Sequence, residues 1–272
     1  KKHWKKTKVM IYIKINKIKR KMLDWGEKMI KAYAKSDVGK VRENNQDYYY
    51  ISNSLDEIQL YMLADGMGGY NGGEIASKLA IQTAKSYIEN NFKDIPKDKE
   101  SIIQLIGSSM EYANMIAYEK SKENSELEGM GTTLDICLIY NNKVFIGHIG
   151  DSRVYRIRNE FLRKLTQDHS YVQKLVKDGT ITKEEAEHHP QKNMLMKALG
   201  CNAFIEPDVM VKGFLKDDIL LMSSDGLTNM VKPEDLLRIA KKDFEQAPKE
   251  LVNLANENGG YDNITVIVIK NI

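Results

Sequence analysis

Two apolar runs, 133–140 and 143–150, are separated by only Asn141-Asn142, and a two-residue connection between such runs specifies an antiparallel hairpin. Asparagine tolerates the left-handed backbone that the turn demands. The pattern repeats at 153–158 and 161–166 about Asn159-Glu160. Parallel neighbours need a crossover of a dozen or more residues, so tight hairpins disfavour a doubly wound parallel fold. They point to an α+β chain with antiparallel sheets and helices in separate layers.

The remaining periodicities fill in this outline. Runs 48–51, 58–64, 219–224 and 264–269 are rich in β-branched and aromatic residues and read as strands. Helix spacing marks 74–91, where Ile75, Leu79, Thr83 and Tyr87 share one face, and 101–122, through Ile102, Leu105, Ile106, Met110 and Ala113. Two more helices are expected at 233–242 and 247–257, and two short ones between Thr166 and Gly200. No repeat or Pro/Gly-rich linker divides the stretch, so one domain over residues 29–272 is the simpler organisation.

Residues 1–28 stand apart as a basic N-terminal extension. Lysines crowd it (Lys1, Lys2, Lys5, Lys6, Lys8, Lys14, Lys17, Lys19, Lys21), whereas the whole chain of 272 residues carries a formal net charge of only +3. Ile11, Ile13 and Ile15 alternate as a strand would, but no turn chemistry or helical stripe links them to the rest of the chain. Two explanations stay open: translation starting at Met29, with the upstream residues not native, or a basic arm that touches membrane or a partner. The modest overall charge gives no reason to expect nucleic-acid binding. The apolar run 9–13 ends at Lys14, too short for a membrane span or an export signal. Cys137 and Cys201 are far apart and in no CxxC pair, which suits a reducing cytoplasm.

Aspartates at strand borders carry the chemistry: Asp65-Gly66 after one strand, Asp225-Gly226 after another, and Asp262-Asn263 before the last. Singly, each is an ordinary turn dipeptide. Together they are hard oxygen ligands with no histidine or thiolate among them, which suits Mg²⁺ or Mn²⁺ rather than zinc. Two such cations bridged by one carboxylate can hold a hydroxide between them. His188-His189 are adjacent and diverge on a helix, so they make a poor zinc pair.

The flanking residues decide what the aspartates belong to. Arg42-Glu43-Asn44-Asn45-Gln46-Asp47, Ala64-Asp65-Gly66-Met67-Gly68-Gly69, Gly131-Thr132-Thr133, Gly150-Asp151-Ser152-Arg153, Ser224-Asp225-Gly226-Leu227 and Asp262-Asn263-Ile264-Thr265 occur in this order. The ordered set resembles the motifs of the bacterial type 2C protein phosphatases, the PPM family, over about residues 31–270. That resemblance implies a four-layer α-β-β-α sandwich with two central antiparallel sheets. It also implies hydrolysis of phosphoserine and phosphothreonine in proteins by a single in-line displacement, in opposition to a bacterial serine/threonine kinase, by a cytoplasmic monomer.

By the same resemblance Asp65 bridges two Mn²⁺ or Mg²⁺ ions, the Gly66 carbonyl binds one, and Asp225 and Asp262 complete the other. Asp47 holds metal-bound water, and Asp151 with Asp225 takes a third, weaker cation. Arg42 offers a planar fork matched to phosphate oxygens. Residues 166–200, with His169, His189 and Lys197, resemble the flap by which family members engage substrate. Two positions depart from the pattern. Tyr70 stands where many members carry histidine, and a phenol of pKa about 10 protonates a leaving alkoxide less readily; loss of that role and a mere shaping of the site entrance are both open. Lys197 replaces an arginine and cannot make a bidentate contact.

Other enzyme classes fit less well. A haloacid-dehalogenase phosphatase needs an acid at position 67, which is methionine, and a dinucleotide loop needs glycine at 71, which is asparagine. A non-catalytic phosphoprotein-binding member of the same fold is the alternative to an enzyme.

Overall fold

The computed structural model describes residues 30–53, 58–68, 72–123 and 125–272. The expectations for residues 1–28 and for Tyr70 lie outside these.

In chain order the elements are β1 (Ile30–Asp37), β2 (Asp47–Ile51), β3 (Gln59–Met67), α1 (Gly72–Asn91), α2 (Lys99–Glu123), β4 (Gly131–Thr132), β5 (Leu134–Tyr140), β6 (Lys143–Ile149), β7 (Arg153–Arg158) and β8 (Phe161–Lys164). Next come α3 (Tyr171–Lys177), α4 (Lys183–Glu187), β9 (Asp208–Gly213), β10 (Ile219–Ser223), α5 (Asp225–Thr228), α6 (Pro233–Lys242), α7 (Ala247–Glu257) and β11 (Ile264–Asn271). One sheet has the order β1-β11-β10-β7-β8 and the other β2-β3-β5-β6-β9, with β4 paired to β3. Every pairing is antiparallel.

Three apolar cores hold four layers together. The first lies under α1 and α2, where Ile81, Ile88, Ile102 and Ile106 meet Leu60, Met62, Ile136 and Leu138 of one sheet. The second lies under α6 and α7, where Leu236, Ile239 and Leu251 meet Leu221, Val266 and Val268 of the other. Between the sheets Tyr61, Leu63 and Ile146 face Leu220, Met222, Ile267 and Ile269. Each central strand therefore buries both faces, one in each core, because its side chains alternate with period two. This is the α-β-β-α sandwich.

The Asn141-Asn142 turn takes φ 48° and 59°, and Asn159 takes 53°, as the two expected hairpins require. Asp225 follows β10 as expected and opens α5. Elsewhere the outline shifts. Asp65 and Gly66 lie within β3 rather than beyond it. On α1 the fully buried stripe is Ala76, Ala80, Ile81, Ala84 and Ile88, while Ile75, Leu79, Thr83 and Tyr87 are only half-buried. Small alanines bring the helix axis down onto the sheet and leave the bulkier neighbours along its flanks. Strands β1 and β9 also had no clear periodic signal; both are edge strands of half-buried residues.

Candidate active site

The alternation that builds the inter-sheet core also builds the site. On β3, Tyr61 and Leu63 point between the sheets, and the next residue on that face is Asp65. On β2, Ile51 and Tyr49 pack in the same core, and the same parity leads to Asp47. The register sets Asp47 directly opposite Asp65, which brings the two β-carbons to about 4.5–5.5 Å. Like charges so placed destabilise a sheet, so folding alone does not account for this pair.

Three further carboxylates approach from other elements. Asp225 opens α5 after β10, Asp262 precedes β11, and Asp151 follows β6. Asp65 lies close enough to Asp225, Asp151 and Asp262 for their charges to act on it. Asp47 is buried, whereas Asp65, Asp151, Asp225 and Asp262 each keep partial contact with solvent, so the group sits at the mouth of the inter-sheet core. Burial, and then the negative charges of Asp47, Asp225, Asp151 and Asp262, push the Asp65 carboxyl well above its ordinary range. Asp47 rises to about 7 through burial, although hydrogen bonds from Thr265 and Ser224 oppose it. Asp151 also rises to about 7, from burial and then the charge of Asp225. Burial and Asp262 raise Asp225.

Short contacts hold this end in shape. Thr133 Oγ1 accepts from the Asp65 amide at 2.9 Å, and Thr132 Oγ1 donates to the Asp65 carbonyl at 2.9 Å. Ser224 Oγ donates to Asp47 Oδ2 at 2.8 Å and accepts from the Thr265 amide at 2.9 Å. Asn263 clamps the preceding loop: its Oδ1 accepts from the Gln46 amide, and its Nδ2 donates to the carbonyls of Val38 and Asn44. That clamp positions Arg42, whose Nη2 lies 2.8 Å from Asp262 Oδ2. A side chain at Gly66 would place its β-carbon 2.1 Å from the Gly73 carbonyl oxygen, so only glycine lets β3 run against the start of α1.

The donor set fits hard divalent cations. Among the described residues Asp47 Oδ1 is buried without a hydrogen-bond partner, and neighbouring acids add to the raised pKa of Asp47, Asp65, Asp151 and Asp225, which is the signature of a site short of positive charge. Among the described residues no three such side chains are drawn into a closed ligand cage. The carboxylates are gathered but not clenched.

The sequence profile described as Protein phosphatase 2C matches residues 40–267. The chain belongs to the protein phosphatase 2C family. Protein phosphatase PhpP of Streptococcus pneumoniae is 38% identical over 240 residues, spanning 86% of this chain and 95% of its relative. The crystal structure of the Mycobacterium tuberculosis serine/threonine phosphatase PstP/Ppp superposes with a TM-score of 0.80 at 35% identity, covering 89% of this chain and 98% of that one. The catalytic domain of PstP in complex with two manganese ions gives 0.78 at 34% identity, with the same coverage of 89% and 98%.

In this phosphatase 2C chain the residues expected in the flap have protein partners of their own. His169 accepts at Nδ1 from the Gly150 amide at 3.1 Å, places Nε2 3.3 Å from Asp208, and lies ring to ring with His148 at 4.7 Å. His189 packs beside Tyr171, and Lys197 donates to the Glu206 carbonyl at 3.1 Å. Two buried networks had no separate reading in the sequence. His148 Nδ1 meets Asp135 Oδ1 at 2.6 Å, and Arg153 grips Asp168 through Nε and Nη2 while Lys164 reaches the same carboxylate at 2.9 Å. The Gly-Asp-Ser-Arg and Asp-His motifs held the second network's ends, but nothing local paired them.

Proposed function

We propose that this chain hydrolyses phosphoserine and phosphothreonine esters of proteins, with the five aspartates and Arg42 as its working residues and residues 29–272 as its catalytic domain. Convergence of Asp47, Asp65, Asp225 and Asp262 with Arg42 at one end of the inter-sheet core carries this reading. The serine/threonine phosphatases and the two-manganese complex among its relatives support it.

Two Mn²⁺ or Mg²⁺ ions, when bound, would neutralise the phosphate and make water acidic enough to ionise near neutral pH. Asp65 would bridge them, because a carboxylate has two oxygens to share, and the Gly66 carbonyl would join one. Asp225 and Asp262 would hold the other. Asp47, with Oδ1 unpartnered and Oδ2 fixed by Ser224, would orient the attacking water and accept its proton. Asp151 beside Asp225 would take a third, weaker cation. Arg42 pairs with Asp262 at the mouth of the group, and from there its fork would turn to the ester's oxygens and align the leaving group.

No covalent phosphoenzyme is expected: Cys137 is buried, with its thiol pushed well above its ordinary value by burial, and neither cysteine begins a cysteine-x5-arginine loop. Among the described residues no helix is long and apolar enough to cross a membrane. Action as a cytoplasmic monomer, opposing a serine/threonine kinase, belongs to the same proposal.

Hydrolysis of a phosphothreonine peptide with Mn²⁺, with EDTA, and in Asp225→Asn tests the reading. Turnover is expected only in the manganese-loaded wild type. Undiminished rates in EDTA would overturn the metal assignment, and tight peptide binding without turnover would mark a non-catalytic phosphoprotein binder.

A further inference from the structure

A cavity of about 750 Å³ opens beside the carboxylates. Asp151 and Asp225 line it, so it is continuous with the proposed catalytic group. One wall comes from α3, α4 and the loop after them (Val172, Val176, Ala186, His188), the other from the turn between α5 and α6 (Met230, Val231). Its size falls within the roughly 300–1,000 Å³ of sites that enclose drug-sized ligands. A few residues of peptide would fit.

Its lining carries both signs, with Asp151, Asp168, Glu187 and Asp225 beside Arg153 and four lysines. Asp168 is already neutralised by Arg153 and Lys164, two cations on one carboxylate. Burial, and then the like charges of Arg153 and Lys183, hold Lys164 below its ordinary pKa although Asp168 opposes them. Lys183, Lys192 and Lys232 also line the cavity, all three exposed. Among the described residues none of these three is paired with a carboxylate. Lys183 opens α4, Lys192 lies in the loop after it, and Lys232 precedes Pro233 at the start of α6. Three elements thus contribute unpaired ammonium groups around a space that Asp151 and Asp225 also line.

A phosphoester seated among the aspartates would leave those lysines without a counter-ion. We propose that this cavity is a phosphopeptide groove in which Lys183, Lys192 and Lys232 bind a second anionic group flanking the scissile phosphoresidue. The shared chemistry is an anion on the same peptide, supplied by an acidic side chain or by a second phosphate. Apolar stretches of the wall would accept the intervening side chains, while the ammonium groups act as mobile point charges rather than bidentate clamps. The inference rests on the phosphatase reading and adds a substrate preference to it.

Three phosphothreonine peptides test the groove: one with neutral flanks, one with glutamates, and one with an additional phosphoserine, the anion being moved through successive positions on either side. Manganese-loaded wild type is expected to favour the anionic peptides in kcat/KM by about tenfold at low salt, as three exposed charge pairs of modest strength would give, with the preference shrinking as salt rises. In Lys183→Gln/Lys192→Gln/Lys232→Gln the ratio between anionic and neutral peptides should fall toward one. A larger gain with phosphoserine than with glutamate would identify the second phosphate as the preferred anion. Equal kcat/KM for all three peptides in wild type, or an undiminished ratio in the triple variant, would overturn the groove. Fluorescence anisotropy with non-hydrolysable phosphonate peptides reads the same preference without turnover. Failure of hydrolysis with selective binding retained would therefore sink the phosphatase reading alone, whereas hydrolysis without selectivity would sink only the groove.

Discussion

Two groups of buried charge lie within one cavity's reach of each other and are built on opposite plans. Around Asp168, burial on its own would raise the carboxyl, but Arg153 and Lys164 outweigh it and the pKa ends below its ordinary value. Around Asp65, burial acts in the same direction and acids rather than cations surround it, so the pKa climbs. Asp47 and Asp151 are raised as well, each to about 7. The first group is electrostatically complete within the chain; in the second, Arg42 on Asp262 is the one ion pair among the described residues. A folded protein keeps such a deficit where binding compensates it.

Removing a member of each group should sharpen the contrast most. Asp65→Asn is expected to lower kcat/KM on a phosphothreonine peptide by about 10³-fold or more. In the metal-free protein the same change should raise stability by about 1–2 kcal/mol, because a repelled charge is lost. Loss of activity without that gain in thermal melts would break the comparison. Asp168→Asn should instead cost about 2 kcal/mol of stability with or without metal, since it strands two cations whose partial exposure softens the penalty. An Asp168→Asn protein as stable as wild type would show that its network holds nothing.

The pH dependence comes from these two directions. Asp47 and Asp151 carry folded pKa values of about 7 against 3.8 unfolded, so their contribution is present below pH 3.8 and is lost as pH rises through about 7. Asp168, held below its ordinary value, contributes above pH 3.8 and loses that contribution as pH falls through its folded pKa. Metal-free protein should therefore lose stability, on the order of a few kcal/mol, between about pH 4 and 8. Mn²⁺ should restore more of it at pH 8 than at pH 5. Melts at both pH values with EDTA or Mn²⁺ check this, and greater metal-free stability at pH 8 would contradict it. The smallest effect is expected from Ser224→Ala, about 1 kcal/mol, from loss of the hydrogen bond to Asp47.

Some of this was legible residue by residue. Two-residue asparagine turns announced the hairpins, and the helices at 233–242 and 247–257 match α6 and α7 end to end. The aspartate motifs named the residues that gather at the mouth of the inter-sheet core. The edge strands β1 and β9 were not legible: β1 pairs with β11 across more than two hundred residues, and half-buried edges carry little alternation for a local reading to detect. Asn263 read as the flank of Asp262, yet it secures the loop that presents Arg42. His169 read as part of a substrate flap; its ring lies against His148 and the Gly150 amide, contacts that no local pattern announced.

By itself the sequence determined the antiparallel character of the sheets, the layered separation of helices, and which aspartates to examine as hard oxygen donors, because turn geometry and side-chain chemistry are local properties. Only the tertiary structure decided that Asp47 faces Asp65, that Arg153 and Lys164 pair with Asp168 and not with the carboxylates around Asp65, and that three unpaired lysines border the same cavity. Register and through-space charge depend on which distant strands become neighbours, and packing settles that.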